Sequence, residues 1–138
     1  MFIRDLDRLI TEVELYPDDA SLWVLPEGIS NSAGTLSLHL CGNLQHFIGA
    51  VLGNTGYVRR RDDEFSLRDI SRTQLVEEIN KTKTVLNQCF AEPMDTEADY
   101  PKGFHPNEMS TGQFLIHLYG HLNYHLGQIN YHRRLTTS

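Results

Sequence analysis

Apolar side chains recur every three or four residues in four separate stretches of this chain, which is the spacing of amphipathic helices. The first stretch covers residues 2–16 and stops at Pro17, which cannot continue a helix. The second runs from about Ser32 to Leu52 and stops at residues 53–56, a cluster that contains two glycines. These two stretches predict the first and second helices.

Two capping boxes predict where the third and fourth helices begin. Ser71 and Gln74 precede the third helix, whose apolar positions are Leu75, Ile79, Leu86 and Phe90. Ser110 and Gln113 precede the fourth, which is predicted to run to about Arg134. The fourth helix is therefore expected to be the longest.

The connections between these helices are polar and contain most of the prolines and glycines. Residues 17–35 are predicted to form a loop that places three apolar side chains against the core: Trp23, Val24 and Leu25. Residues 57–70 are charged and predicted to be irregular, and the basic run 59–61 reads as a solvated loop because acids follow at 62–64. No strand-like alternation is present. The pattern predicts an all-α, antiparallel four-helix bundle with long connections, as one domain over residues 1–138.

Composition and charge exclude several classes of function. A net charge of −6 disfavours a nucleic-acid partner, because binding to that backbone depends on lysine and arginine. No run approaches the ~18 apolar residues that a membrane span needs. The N-terminus mixes acids and bases and lacks the pattern of a signal peptide, so a cytoplasmic location is expected. Cys41 and Cys89 are then expected to be reduced core residues.

The seven histidines are the unusual feature of the composition. Each residue of an α-helix advances about 100° around its axis, and by this count one stripe of the fourth helix carries five polar side chains: His117, His121, His125, Gln128 and His132. The second helix places His39, Asn43 and His46 on one face in the same way. Both polar stripes border an apolar stripe, so packing is expected to point the histidines at one another.

Imidazoles one turn apart can bind one ion, and a third from a facing helix completes a three-nitrogen site. His121 and His125 are hard to explain otherwise, because burying two such rings side by side is costly without an ion. His46, His117 and His132 are explained at least as well as ordinary hydrogen-bonded histidines of the core or surface. The side-chain amides of Asn43 and Gln128 flank the ligands. They could orient the imidazole rings or bound water, or they could be ordinary polar residues of the helix bundle. Three imidazoles suit zinc, nickel, copper and iron alike.

Two segments resemble a known family. They are LHLCGNLQHFIG at 38–49 and HLNYHLGQI at 121–129, the second with an H-x-x-x-H motif followed by x-G-Q. Over nearly its whole length the chain resembles the DinB-like (DinB/YfiT-type) four-helix bundles. That resemblance implies a divalent metal ion, zinc or nickel most often, bound by His39, His121 and His125. His117 lies one turn before the matching pair and is placed outside the ligand set, like His46.

The resemblance also implies a function. Members of the family include metal-dependent transferases that add low-molecular-weight thiols, such as bacillithiol or mycothiol, to small electrophiles, and they often form homodimers. A thiol S-transferase and a homodimer are the corresponding expectations here, with catalytic residues unknown. One alternative is hydrolysis by water activated at the metal, with His46 or His117 carrying protons. The other is a non-enzymatic stress accessory protein that binds metal or ligand.

Overall fold

The computed structural model describes residues 1–101 and 108–137. Within them the regular secondary structure is helical, with one isolated β-bridge between Asp99 and Ser110 and no strand. The helices are α1 (Phe2–Glu14), α2 (Ala33–Leu44), α3 (Arg61–Ser66), α4 (Arg72–Ala91) and α5 (Thr111–Thr136), with a 3-10 turn at Ala20–Trp23 and a π-helix at Gln45–Leu52. The predicted all-α class is confirmed.

Serine side chains begin three of the helices, and the sequence predicts two of these caps, at Ser71 and Ser110. Ser32 accepts a hydrogen bond from the backbone N–H of Thr35 at the start of α2. Ser71 and Ser110 each form a complete capping box, with the glutamine three residues later reaching back to the serine backbone. At 26 residues, α5 is the longest helix in the described part of the chain.

The apolar faces of the helices pack into one core. Helix α1 contacts α4 and α5, while α2 contacts α3, α4 and α5. The fully buried side chains include Leu6, Leu9, Leu22, Leu40, Leu44, Ile48, Ile79, Leu86, Leu122 and Ile129. Cys41 and Cys89 are free, buried thiols. The antiparallel four-helix order, the single domain and the homodimer stay predictions.

The expectation for the first connection is wrong in part. Leu22, within the 3-10 turn, is fully buried, whereas Val24 and Leu25 are 43% and 55% exposed. Trp23 is half-buried, and its indole N–H donates to the backbone oxygen of Ile70 at 3.0 Å. The 3-10 turn ends at Trp23 and Val24 is extended, so the chain leaves the core one residue after the turn.

The expectation for residues 57–70 is also wrong in part, although residues 57–60 and 67–70 are irregular as predicted. Residues 61–66 form α3, whose first turn carries three acidic side chains, which favour a helix N-terminus. Arg59, expected in a solvated loop, has a side chain only 13% exposed and is paired with Glu64. Six residues are too few for the apolar repeat of a helix to be visible in the sequence.

The second predicted helix changes its geometry after Leu44. Residues 45–52 form a π-helix, in which backbone bonds reach one residue further back than in an α-helix, as in the bond from Gly53 N–H to Ile48 O. His46 lies in this segment and is half-buried, with its ring 4.8 Å from that of Phe47. A constant α-helical count therefore does not give the direction of His46, although it holds for His39 and Asn43, which are both buried.

No helix in the described ranges combines the length and the apolar character that crossing a lipid bilayer requires.

Candidate metal centre

Three histidines from two helices meet at one point. His39 comes from α2, and His121 and His125 come from successive turns of α5. The Nε2 atom of His121 lies 3.2 Å from Nε2 of His39 and 3.1 Å from Nε2 of His125. The structure thus brings together the three residues that the sequence predicts as ligands, and this cluster could hold a metal ion.

The hydrogen bonds of Nδ1 fix which ring nitrogen carries the proton in two of these histidines. Nδ1 of His39 lies 3.1 Å from Oε1 of Glu64, and Nδ1 of His125 lies 2.7 Å from Oε1 of Gln128. Both partners are acceptors, so each Nδ1 carries the ring proton and donates it. With that proton on Nδ1, Nε2 of each ring can present a lone pair toward Nε2 of His121, which is the arrangement that a metal ion requires.

Burial keeps the pair on α5 uncharged. The pKa of His121 is lowered from 6.5 to about 4, mainly by burial and then by the charges of His125, His39, His117 and Arg59. Burial also lowers the pKa of His125, although its bond to Gln128 opposes this. At neutral pH both rings are therefore in the unprotonated form that binds metal.

The two nitrogen–nitrogen distances at His121 fit a divalent ion. Imidazole nitrogens lie about 2.0–2.1 Å from zinc, which puts two of them about 3.3 Å apart in a tetrahedral site. At a similar bond length, neighbouring nitrogens of an octahedral site lie about 3.0 Å apart. The observed 3.1 and 3.2 Å fall between these values. Both zinc and nickel are compatible with this donor set.

The surrounding residues that the sequence predicts have different positions. Gln128 contacts a ligand directly, through His125. The Asn43 side-chain oxygen is buried and has no hydrogen-bond partner within the described residues, as is also true of Nδ1 of His121. His117 is exposed, with its ring 5.6 Å from that of Phe114. Neither His117 nor His46 belongs to the three-histidine cluster.

His132 has a structural role although it lies on the same predicted stripe. Its Nδ1 is 2.7 Å from the hydroxyl of Tyr16, and its Nε2 is 2.8 Å from the backbone oxygen of Val24. Both ring nitrogens are thus used to join α5 to the end of α1 and the first connection.

Two residues of the site were missed by reasoning from the sequence. Glu64 accepts the Nδ1 proton of His39, and Arg59 forms two hydrogen bonds with the same carboxylate at 2.9 and 3.0 Å. Burial raises the pKa of Glu64, but the bonds from His39 and Arg59 outweigh it, so the net shift is downward. The signal in the sequence was the opposite charge of the neighbouring runs 59–61 and 62–64.

A cavity of about 580 Å³ lies beside the last turns of α5, and none of the three clustered histidines lines it. Gln128 lines it, and so links it to His125. The other lining side chains come mainly from residues 26–31 and from the last turns of α5. Among the described residues that line it, Glu27 is the only one with a carboxylate, and none is a lysine or arginine.

Comparison with known families agrees with this geometry. A sequence model of the DinB superfamily matches residues 1–129. The chain belongs to the DinB superfamily. The match covers α1 to α4 and most of α5, including all three clustered histidines. Searches of the curated proteins and of the solved structures gave no match for this DinB protein.

Proposed function

We propose that this DinB protein binds one divalent ion, zinc or nickel, through His39, His121 and His125, and adds a low-molecular-weight thiol to small electrophiles. The convergence of the three Nε2 atoms carries the proposal. Three protein ligands leave coordination positions for other molecules, as in catalytic rather than structural zinc sites. When bound, the ion would hold the thiol as a thiolate and lower its pKa.

The thiol is expected to come from solution rather than from the chain. Burial raises the pKa of Cys41 to about 12, and it also raises the pKa of Cys89. Neither side chain supplies thiolate at neutral pH. In the reaction, the free thiol would release its proton to solvent, its sulfur would form a bond to an electrophilic carbon, and the leaving group would depart with the electron pair of the broken bond.

The cavity beside Gln128 is our proposed site for the electrophile. Its volume of about 580 Å³ suits a small organic molecule. Its apolar lining side chains include Ile29, Leu36, Tyr131 and Leu135. Because Glu27 is the only carboxylate and no lysine or arginine occurs among the described lining residues, we expect an uncharged electrophile rather than an anion.

The test is turnover of an uncharged halogenated aromatic compound by zinc- or nickel-loaded protein, with cysteine, bacillithiol or mycothiol as the thiol. Product formation should need both thiol and metal and should be lost in the variant His125→Ala. Turnover without thiol would replace this proposal with hydrolysis. If the fully loaded protein turns over neither class of substrate, the non-enzymatic binding role is favoured.

A further inference from the structure

The three clustered histidines differ in the hydrogen-bond partner of their Nδ1 atom. Nδ1 of His39 donates to a carboxylate, Nδ1 of His125 donates to an amide oxygen, and Nδ1 of His121 has no hydrogen-bond partner within the described residues. A carboxylate orients an imidazole and raises its basicity more than an amide does. Of the three proposed ligands, His39 is therefore the one whose ring has the strongest hydrogen-bond acceptor at Nδ1.

The carboxylate reaches His39 only because residue 42 is a glycine. Gly42 lies on α2 almost one turn after His39. A Cβ atom built there would overlap Oε2 of Glu64 and lie 2.5 Å from its Cδ. Any side chain at this position would displace the carboxylate, so the glycine provides room for Glu64 on the surface of α2.

Arg59 holds the carboxylate from the opposite side. Its Nε donates to Oε2 at 2.9 Å and its Nη2 to Oε1 at 3.0 Å, which is the two-point arrangement of a guanidinium on a carboxylate. The side chains of Arg59 and Glu64 are only 13% and 7% exposed. A buried carboxylate is tolerated when it is paired and fully hydrogen-bonded in this way. Nη2 also lies 3.4 Å from Nδ1 of His39, but a guanidinium accepts no hydrogen bond, so the proton on that nitrogen is donated to Glu64.

We infer that Gly42, Glu64 and Arg59 form a device that positions His39 for a metal ion. Glu64 fixes the ring with its proton on Nδ1 and its lone pair on Nε2, while Arg59 and Gly42 fix Glu64. All three are positioning residues. The short helix α3, which carries Glu64, and Arg59 just before it thus help to complete the metal site. The inference rests on the proposed metal site.

The test compares zinc affinities, measured by competition with a chromophoric chelator. Loss of an outer partner typically weakens metal binding about 10–100-fold, and we expect this for both Gly42→Ala and Glu64→Gln. Gly42→Ala leaves every ligand and charge in place and only displaces the flexible end of Glu64. Two controls should bind zinc within about twofold of wild type: Asp63→Asn, an exposed neighbour of Glu64, and Gly127→Ala, where nothing lies within 4 Å of the added Cβ.

A nuclear magnetic resonance measurement separates positioning from a general structural effect. In the zinc-loaded wild type, the Nδ1 proton of His39 should give an exchange-protected, downfield signal. That signal should be lost or shifted in both Gly42→Ala and Glu64→Gln and unchanged in the controls. Circular dichroism of the zinc-free proteins checks their folding, and Glu64→Gln carries the comparison if Gly42→Ala loses helix content.

Wild-type zinc affinity and an unchanged His39 signal in both variants would overturn this inference. If the wild type itself binds no zinc and no nickel, the proposed function fails as well. The two failures are therefore distinguishable from the behaviour of the wild type.

Discussion

Replacing His121 by alanine is expected to weaken zinc or nickel binding by at least about 100-fold. Loss of a residue that only hydrogen-bonds to a metal ligand costs up to about 100-fold, and loss of the ligand itself should cost at least as much. His121 is central to the cluster, because its Nε2 lies within 3.2 Å of Nε2 of both other histidines. Without it, one imidazole from each helix is left. Calorimetric titration of the two proteins with zinc gives the comparison.

The same variant should lose the stabilisation that metal gives. Free zinc at about 100 times its dissociation constant stabilises a folded protein by about 2.7 kcal/mol, or roughly 10 °C in melting temperature for a chain of this size. We expect that shift in the wild type and almost none in His121→Ala.

A matched control is His132→Gln, a histidine on the same helix that bonds Tyr16 and Val24 instead. It should lower the melting temperature and keep the zinc-induced shift. An equal shift in His121→Ala and the wild type would contradict the assignment of His121.

Replacing Asp5 by alanine should lower the free energy of unfolding by about 3 kcal/mol, the scale of losing hydrogen bonds to a buried charge. The Asp5 side chain is fully buried on α1, where it accepts bonds from the hydroxyl of Tyr119 and from Asn123 Nδ2 on α5. Arg4 also donates to this carboxylate and Arg8 lies 3.5 Å from it, but these arginine side chains are 58% and 62% exposed, so solvent weakens both ion pairs. Urea unfolding at neutral pH measures the difference.

The contribution of Asp5 should also depend on pH in a defined window. Burial raises its pKa, but hydrogen bonds from Arg4, Tyr119 and Asn123 outweigh this and lower it from 3.8 to about 2. A depressed carboxyl pKa stabilises the fold above the unfolded value, and the stabilisation is lost as the pH falls from about 4 to about 2. As the pH falls from about 4 to about 2, the free energy of unfolding should therefore decrease less for Asp5→Ala than for the wild type.

The control for Asp5 is Asp7→Asn, on the same helix. Asp7 is 55% exposed and pairs with Lys83. Such a pair contributes about 0–1 kcal/mol, so this variant should unfold nearly as the wild type does. A similar loss in both variants would show that burial of Asp5 is not what matters.

Most of the fold could be predicted because local chemistry dictates it. Ser71 and Ser110 satisfy backbone groups that any helix start leaves open, so their capping boxes were visible in the sequence and are formed in the structure. His121 and His125 are one turn apart on a long helix, which fixes their side-by-side placement. These features depend on neighbours only three or four residues away.

The features that were missed depend on contacts across the fold. Glu64 reaches His39 through the space above Gly42, and no local pattern encodes a contact between positions 25 residues apart. The π-helix of residues 45–52 follows a sequence with ordinary helical spacing, so it changed the direction of His46 without a visible signal. Leu22 is buried in place of Val24 and Leu25 because a short 3-10 turn has no repeat to detect.

The central claim is that three histidines form one metal site. Its most direct test is the metal content of the protein, purified without an affinity tag, incubated with zinc or nickel and freed of unbound ion. The account predicts about one ion for each chain of wild type and almost none in His121→Ala. Much less than one ion in the wild type, or equal content in both proteins, would contradict it.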